Sequence, residues 1–181
     1  MANKDHSIEV RHMETTQRSN GKKLVLSETT FESVARILSD LVKSSRARLC
    51  IFADMNGYPI SSAGEEGKID LSALTAVAAG TFSATAEMAR MTSDEQRFQY
   101  IYHEGRSENI YLCNVSDDYL LIVLFDKSVA LGLIRILTQR AFEKTRDLLQ
   151  QLKTESEQVT RFLDVEFRNM LSDELDRSLG T

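Results

Sequence analysis

The apolar run Tyr119–Phe125 is the sequence feature that most constrains how this chain folds. A strand without alternating polar positions needs cover on both faces, so it belongs in the middle of a sheet with further layers above and below it. The run is also the longest apolar stretch of the chain, and it is far too short to cross a bilayer. The sequence therefore predicts a layered domain without a membrane span.

Helical and extended patterns follow one another in a definite order. Apolar spacing of three and four residues predicts a first helix near Thr29, where Thr29 and Glu32 form a capping box, and a second from Asp70 to about Met91. A two-residue turn is expected at Asn56-Gly57. A last helix begins near Val129. The predicted strands are Arg46–Asp54, Tyr58–Ser62, Arg97–His103, Asn109–Ser116 and Tyr119–Phe125. The class is α/β (α+β), with the order α-β-β-α-β-β-β-α.

The helical patterns also predict which side chains are buried. In the second helix the expected buried side carries Leu71, Leu74, Val77, Ala78, Phe82, Thr85 and Met88. In the last helix, packing on the sheet is expected for Leu133, Ile136, Leu137, Leu148, Leu149 and Leu152.

Composition divides the chain into three parts. Residues 1–23 carry few apolar side chains and are expected to form a flexible N-terminal tail. Residues 24–152 form the folded domain. Residues 153–181 are expected to form a C-terminal helical extension after a polar stretch. The extension has an apolar stripe, with Phe162, Phe167, Leu171 and Leu175 as the expected partner contacts.

Charge and motifs exclude several classes of function. The formal net charge of -5 offers no broad basic field for a phosphate backbone, so nucleic acid is not an expected partner. Gly64-Glu65-Glu66-Gly67-Lys68 lacks the spacing of a phosphate-binding loop and carries two carboxylates. The three histidines form no constellation with nucleophiles or other ligands. We therefore expect no catalytic residues, no cofactor and no metal site.

The two cysteines indicate a reducing compartment. Cys50 and Cys113 each lie inside an apolar run and have no Cys-x-x-Cys partner, which is typical of small buried side chains. The first 23 residues lack the apolar stretch of a secretion signal. These observations predict a soluble, cytoplasmic protein.

Several short strings resemble a known family in order and spacing. They are Asp54-Met55-Asn56-Gly57, Ile60-Ser61-Ser62-Ala63-Gly64, Ile69-Asp70, His103-Glu104-Gly105, Phe125-Asp126 and Leu131-Gly132-Leu133-Ile134-Arg135. In combination they resemble the Roadblock-domain family, in particular its bacterial MglB-like subfamily, over about Arg46 to Leu152. The C-terminal string Leu171-Ser172-Asp173-Glu174-Leu175-Asp176 is also similar to that subfamily.

The resemblance implies both a fold and a role. The fold is a five-stranded antiparallel sheet with the element order given above. The role is that of a homodimeric GTPase-activating protein for a small Ras-like GTPase of the MglA type, bound in its GTP state, in bacterial cell polarity and motility. The family does not supply an arginine finger. The resemblance also implies that the protein is a regulator of a GTPase and not itself an enzyme. The resemblance also implies other polarity proteins as partners and concentration at a cell pole. The alternative is a Roadblock adaptor that links polarity proteins without touching the GTPase.

Two surfaces are candidates for these contacts. Five residues at spacings of four and three share one face of the second helix and are expected to bind the GTPase: Ala76, Gly80, Ser83, Glu87 and Arg90. Tight packing within a homodimer is the equally weighted alternative for this face. The strand with Phe98, Tyr100 and Tyr102 is the expected dimer edge, because an unpaired strand edge is a template for pairing. These aromatic side chains could also simply cover their own helix.

Overall fold

The computed structural model describes residues 10–12, 28–92 and 98–154. The strands are β1 Val10–His12, β2 Leu49–Asp54, β3 Pro59–Gly64, β4 Tyr100–Glu104, β5 Glu108–Asn114 and β6 Tyr119–Asp126. The helices are α1 Glu28–Ser45, α2 Leu71–Met91 and α3, which occupies residues 131–154 of the described chain. The six strands form one sheet in the order β1-β3-β2-β6-β5-β4, and all neighbours are antiparallel.

β6 divides the core into two halves. Ile122 and its same-face neighbours pack with β2 and β5 side chains and with the apolar side of α2, including Phe82. Val123 and Phe125 face the opposite way and pack with α1 and α3 residues such as Leu38. The expectation of a central strand covered on both faces is confirmed, and the molecule has three layers with the sheet in the middle.

The five strands expected from the sequence are present, and the element order is confirmed. One strand was not predicted. Val10–His12 pairs with β3, so the prediction of a flexible tail is wrong at these three residues. A three-residue strand has too short a pattern to be recognised in sequence, and its position depends on a long-range pairing. The remainder of residues 1–23 lies outside the described residues.

The first hairpin differs from the two-residue turn that Asn56-Gly57 suggested. Asp54 and Tyr58 close the hairpin around three residues, with the Asp54 amide donating to the Tyr58 carbonyl at 3.0 Å. Gly57 alone has a positive φ, +90°, whereas a two-residue type I′ turn needs positive values at both central positions. The Asp54 carboxylate accepts from the Asn56 and Tyr58 amides at 3.0 and 2.8 Å, and this favours the longer loop.

The helix starts agree with the sequence in one case and not in the other. The side chain of Asp70 caps α2, as predicted, by accepting from the Ala73 amide at 3.0 Å. α1 begins already at Glu28, so Thr29 lies within the helix and the expected Thr29–Glu32 capping box is wrong.

The predicted burial is also wrong for Leu133 and Ile136 of α3, which are 42% and 57% exposed. Ala141 is buried, in agreement with the pattern of the helix, and Thr138 is buried as well.

Both cysteines are enclosed in the core, as the sequence suggested. Cys50 and Cys113 are fully buried in the half that faces α1 and α3, and neither forms a disulfide. Burial raises the pKa of the Cys113 thiol to about 12 and raises that of Cys50 as well. Both thiols are therefore protonated and unreactive at neutral pH.

Candidate partner-binding face

The first part of α2 is hydrogen-bonded to the β2–β3 turn. The buried Thr75 hydroxyl lies 2.5 Å from the Gly57 carbonyl oxygen and donates to it across the sequence. The turn and helix are so close that a Cβ on Gly57 would lie 2.6 Å from the Ala76 Cα. Only glycine permits both this approach and the positive φ of the turn. The position of the outer face of α2 is therefore fixed by the hairpin beneath it.

The five predicted partner-binding residues are brought together on the outer side of α2, and we call them the small-residue stripe: Ala76, Gly80, Ser83, Glu87 and Arg90. All five are exposed. Among the described residues, a Cβ on Gly80 would meet no atom within 4 Å, so no contact within that part of the chain requires a glycine there. Arg90 donates to the carboxylate of Glu87 on the same helix, which leaves the charged end of the stripe locally neutral.

A second stripe lies beside the first, and the sequence pattern did not reveal it. Val77 and Met88 were expected on the buried side but are 68% and 56% exposed. Ala84 and Met91 lie on the same face and are exposed too. We call this set, Val77, Ala84, Met88 and Met91, the apolar stripe.

The misassignment has a physical cause. The helix approaches the sheet closely through small side chains, including Thr75, Ala78 and Ala79, and the larger Val77 and Met88 are left outside. The density of alanine and threonine in α2 was the signal in the sequence for such close packing.

A small cavity opens beside Ser83. Its volume is about 190 Å³, and it is lined by Met55, Phe82, Ser83, Thr85, Ala86, Phe98 and Asn114. The side-chain oxygen of Asn114 is buried and has no hydrogen-bond partner within the described part of the chain. Only Ser83 belongs to the predicted stripe.

The expected dimer edge is a true edge of the sheet. β4 is the last strand on its side, and only β5 pairs with it in the described chain. The Tyr100 and Tyr102 rings cover their own domain, stacking on Tyr111 and Phe125 with centroids 5.7 and 6.3 Å apart. Phe98 precedes the strand, which starts at Tyr100 and not at Arg97 as predicted, and its side chain is 41% exposed.

Tyr100 is tied to α3 through its hydroxyl, which donates to the side-chain oxygen of Gln139. Burial is the main cause that raises the pKa of Tyr100 to about 12, and nearby acidic groups add to it. The Tyr100 side chain thus packs within its own domain, while no strand of the described residues pairs with the outer backbone edge of β4.

Other predicted features fall outside this face or outside the described chain. Phe162, Phe167, Leu171 and Leu175 lie beyond residue 154, so the predicted C-terminal contact has no place in the described residues. In the Gly64–Lys68 loop, which was compared with a phosphate-binding loop above, the Glu66 carboxylate accepts a hydrogen bond from the Ser62 hydroxyl at 2.7 Å. No group of three or more His, Cys, Asp or Glu that could hold a metal ion occurs in residues 28–92 and 98–154. Among helices of the described ranges, none is both long and apolar enough to span a bilayer.

Comparison with known proteins shows which family has this fold. Residues 32–125 match the Roadblock/LC7 domain. The solved structure of Myxococcus xanthus MglB is 29% identical, with a TM-score of 0.64, and the match covers 67% of this chain and 98% of that one. The gliding protein MglB of Thermus thermophilus is 23% identical over 70% of this chain and 96% of its own, with a TM-score of 0.66. No curated protein sequence matches the chain. The chain therefore belongs to the Roadblock/LC7 family and is similar to its MglB members.

Proposed function

We propose that this protein is a homodimeric regulator that binds the GTP form of an MglA-like Ras-type GTPase and stimulates its hydrolysis. The observation that carries the proposal is the outer face of α2, where two adjacent stripes are exposed in the described part of the chain and Gly80 leaves room for a close approach. The family role implied by the sequence strings supplies the identity of the partner. Such a protein acts in polarity and motility from the cytoplasm, with concentration at one cell pole.

The two stripes suit two different partners. The apolar stripe exposes Val77, Met88 and Met91 by more than half each, and a second copy of the chain is the partner that can bury such residues permanently. The small-residue stripe is more polar and ends in the Glu87–Arg90 pair, which suits a partner that associates and leaves. We assign the first stripe to the homodimer and the second to the GTPase.

The face supports regulation without donated chemistry. An arginine finger must reach the γ-phosphate region in trans. Arg90 is held by Glu87 on its own helix, and so it is engaged before a partner arrives. We therefore attribute the stimulation to selection of one GTPase conformation. The surface of α2 binds best to the conformation in which the GTPase's own catalytic groups are aligned.

The direct test is phosphate release by the cognate GTPase with and without this protein. We expect faster hydrolysis in its presence and preferential binding of the GTP-loaded form. Binding without acceleration would leave the adaptor function, in which the chain joins polarity proteins. No binding to either nucleotide state would contradict the proposal.

Substitutions in the small-residue stripe test the assignment of the faces. The double variant Ser83→Arg and Glu87→Arg adds bulk and reverses a charge, so we expect at least a tenfold loss of GTPase affinity, about 1.4 kcal/mol. The matched control, Glu143→Arg and Gln150→Arg on exposed positions of α3, should bind normally. The dimer mass and the circular dichroism should be unchanged in both. Normal binding by the α2 variant would exclude this stripe as the GTPase site.

A further inference from the structure

Three residues of the N-terminal segment cover the outer edge of β3. β1 runs antiparallel to it, with Val10 opposite Ala63, Arg11 opposite Ser62 and His12 opposite Ser61. Fifteen residues, 13–27, separate this strand from α1 in the sequence. The opposite edge of the sheet, β4, has no such cover within the described residues.

Apart from a proline at its first position, β3 lacks the features that keep an edge strand from pairing. It contains six residues, Pro-Ile-Ser-Ser-Ala-Gly, without a charged side chain among them. Natural edge strands avoid association by being very short or charged, or by carrying proline where an N–H would pair. Only Pro59, at the start of β3, meets one of these conditions. An uncovered β3 would thus be an open template for another strand.

β1 replaces this edge by one that resists pairing. The new outer strand has three residues instead of six. This short length limits the number of backbone hydrogen bonds that a further strand could form with it.

We propose that the N-terminal segment is an assembly cap, which prevents the β3 edge from pairing with the β3 edge of a second copy. Such a pairing is antiparallel about a two-fold axis, because the same uncharged strand faces itself. With the cap in place, growth of the sheet is confined to the β4 edge and stops at a closed pair. The proposal depends only on β1 and β3, so it stands apart from GTPase binding.

Deletion of residues 1–14 tests the cap. We expect full-length protein to keep one mass in light scattering over a hundredfold range of concentration. The deleted chain should gain mass as concentration rises: a starting monomer should approach twice its mass, whereas a starting dimer, which then has two uncovered β3 edges, should form still larger multiples. An unchanged mass for the deleted chain would overturn the proposal.

Two further variants locate the contact. Adjacent residues of a strand point their N–H groups to opposite sides, so Val10→Pro with Arg11→Pro removes at least one bond to β3 and should reproduce the shift. Asn3→Pro with Lys4→Pro is the matched control and should behave as full-length protein. If the deleted chain fails to fold, the Val10–Arg11 variant provides the answer alone.

In the deleted chain, Ile60→Lys places a charge on β3 at a partly buried position and should restore the original mass. An increased mass that this substitution leaves intact would place the contact elsewhere and contradict the assignment to β3.

Discussion

Gly57 is the residue on which the position of α2 depends most directly. Its carbonyl accepts from Thr75, its Cα lies against the Ala76 backbone, and its φ of +90° is one that other residues rarely adopt. Gly80 on the same helix is the contrasting case, because it has ordinary helical geometry and open space around it. The first glycine is required by the fold, whereas the second is required only if something beyond the described residues approaches the helix closely.

We expect Gly57→Ala and Gly80→Ala to have opposite effects on stability. The first forces a left-handed backbone and a clash with Ala76, and it should lower the free energy of unfolding by about 2–4 kcal/mol. The second removes a helix-interior glycine and should raise it by up to about 1 kcal/mol. Urea denaturation, measured at a concentration where both variants have the same mass, checks the prediction. Equal effects would show that the approach of α2 to the turn is not restrictive.

Tyr100 makes stability depend on pH at the alkaline end. Its pKa is raised from 10 in the unfolded chain to about 12 in the fold, so the folded state retains a proton that the unfolded state has lost. The stabilising effect is complete below pH 10 and disappears as pH rises through 12. Tyr100→Phe should therefore weaken the decline of the urea midpoint over this interval. A smaller decline must remain, because burial also raises the pKa of Tyr111 and Tyr119.

At the scale of the element, α2 is a helix with three distinct sides. One side packs on the sheet through small residues, one carries the small-residue stripe and one carries the apolar stripe. The hydrogen bond from Thr75 to the Gly57 carbonyl attaches the helix to the β2–β3 turn and holds all three sides in fixed directions. A single helix can thereby serve the core and two external partners together.

Met88→Glu should disrupt the homodimer. A carboxylate in the centre of the apolar stripe would have to be desolvated in the interface, so we expect a monomer by light scattering at micromolar concentration. Ile136→Glu is the matched control, because Ile136 is 57% exposed against 56% for Met88 but lies on α3, across the sheet. If Met88→Glu remains a dimer, the second copy does not use this stripe.

The sequence was most informative where a pattern is local. The apolar strand Tyr119–Phe125, the Asp70 cap and the exposed spacing of the small-residue stripe were all predicted correctly. The prediction failed where burial depends on how closely two elements approach, as for Val77 and Met88, which the helical pattern placed on the buried side. It also failed for Val10–His12, whose pairing with β3 is set by the tertiary structure and not by a local period.

At the scale of the whole molecule, β6 is the element that unites the two halves of the core. Alternate side chains of this strand enter opposite halves, one of which contains residues of α2 and the other residues of α1 and α3. The ion pair between Arg48, just before β2, and Glu108, at the start of β5, bridges the end of the sheet across β6. Because one strand serves both halves, the domain should unfold as a unit.

Ile122→Ala tests this coupling. Removing a fully buried side chain from the half that faces α2 should lower the free energy of unfolding by about 2–5 kcal/mol. Both far-ultraviolet circular dichroism and tyrosine fluorescence should report one shared transition. Leu133→Ala, at a half-exposed site, should cost less than about 1 kcal/mol. Separate transitions for the two signals would mean that the halves unfold independently.

The enclosed cysteines give the molecule a practical property. Maleimides and spin labels react with thiolates at the surface, and Cys50 and Cys113 offer neither a thiolate nor access in the folded state. A new cysteine on the outside of α2 would consequently be labelled alone in the otherwise natural chain. Distances between two such labels in an assembled pair could then be read by spectroscopy, with modification of the native thiols reporting only on molecules that have lost their structure.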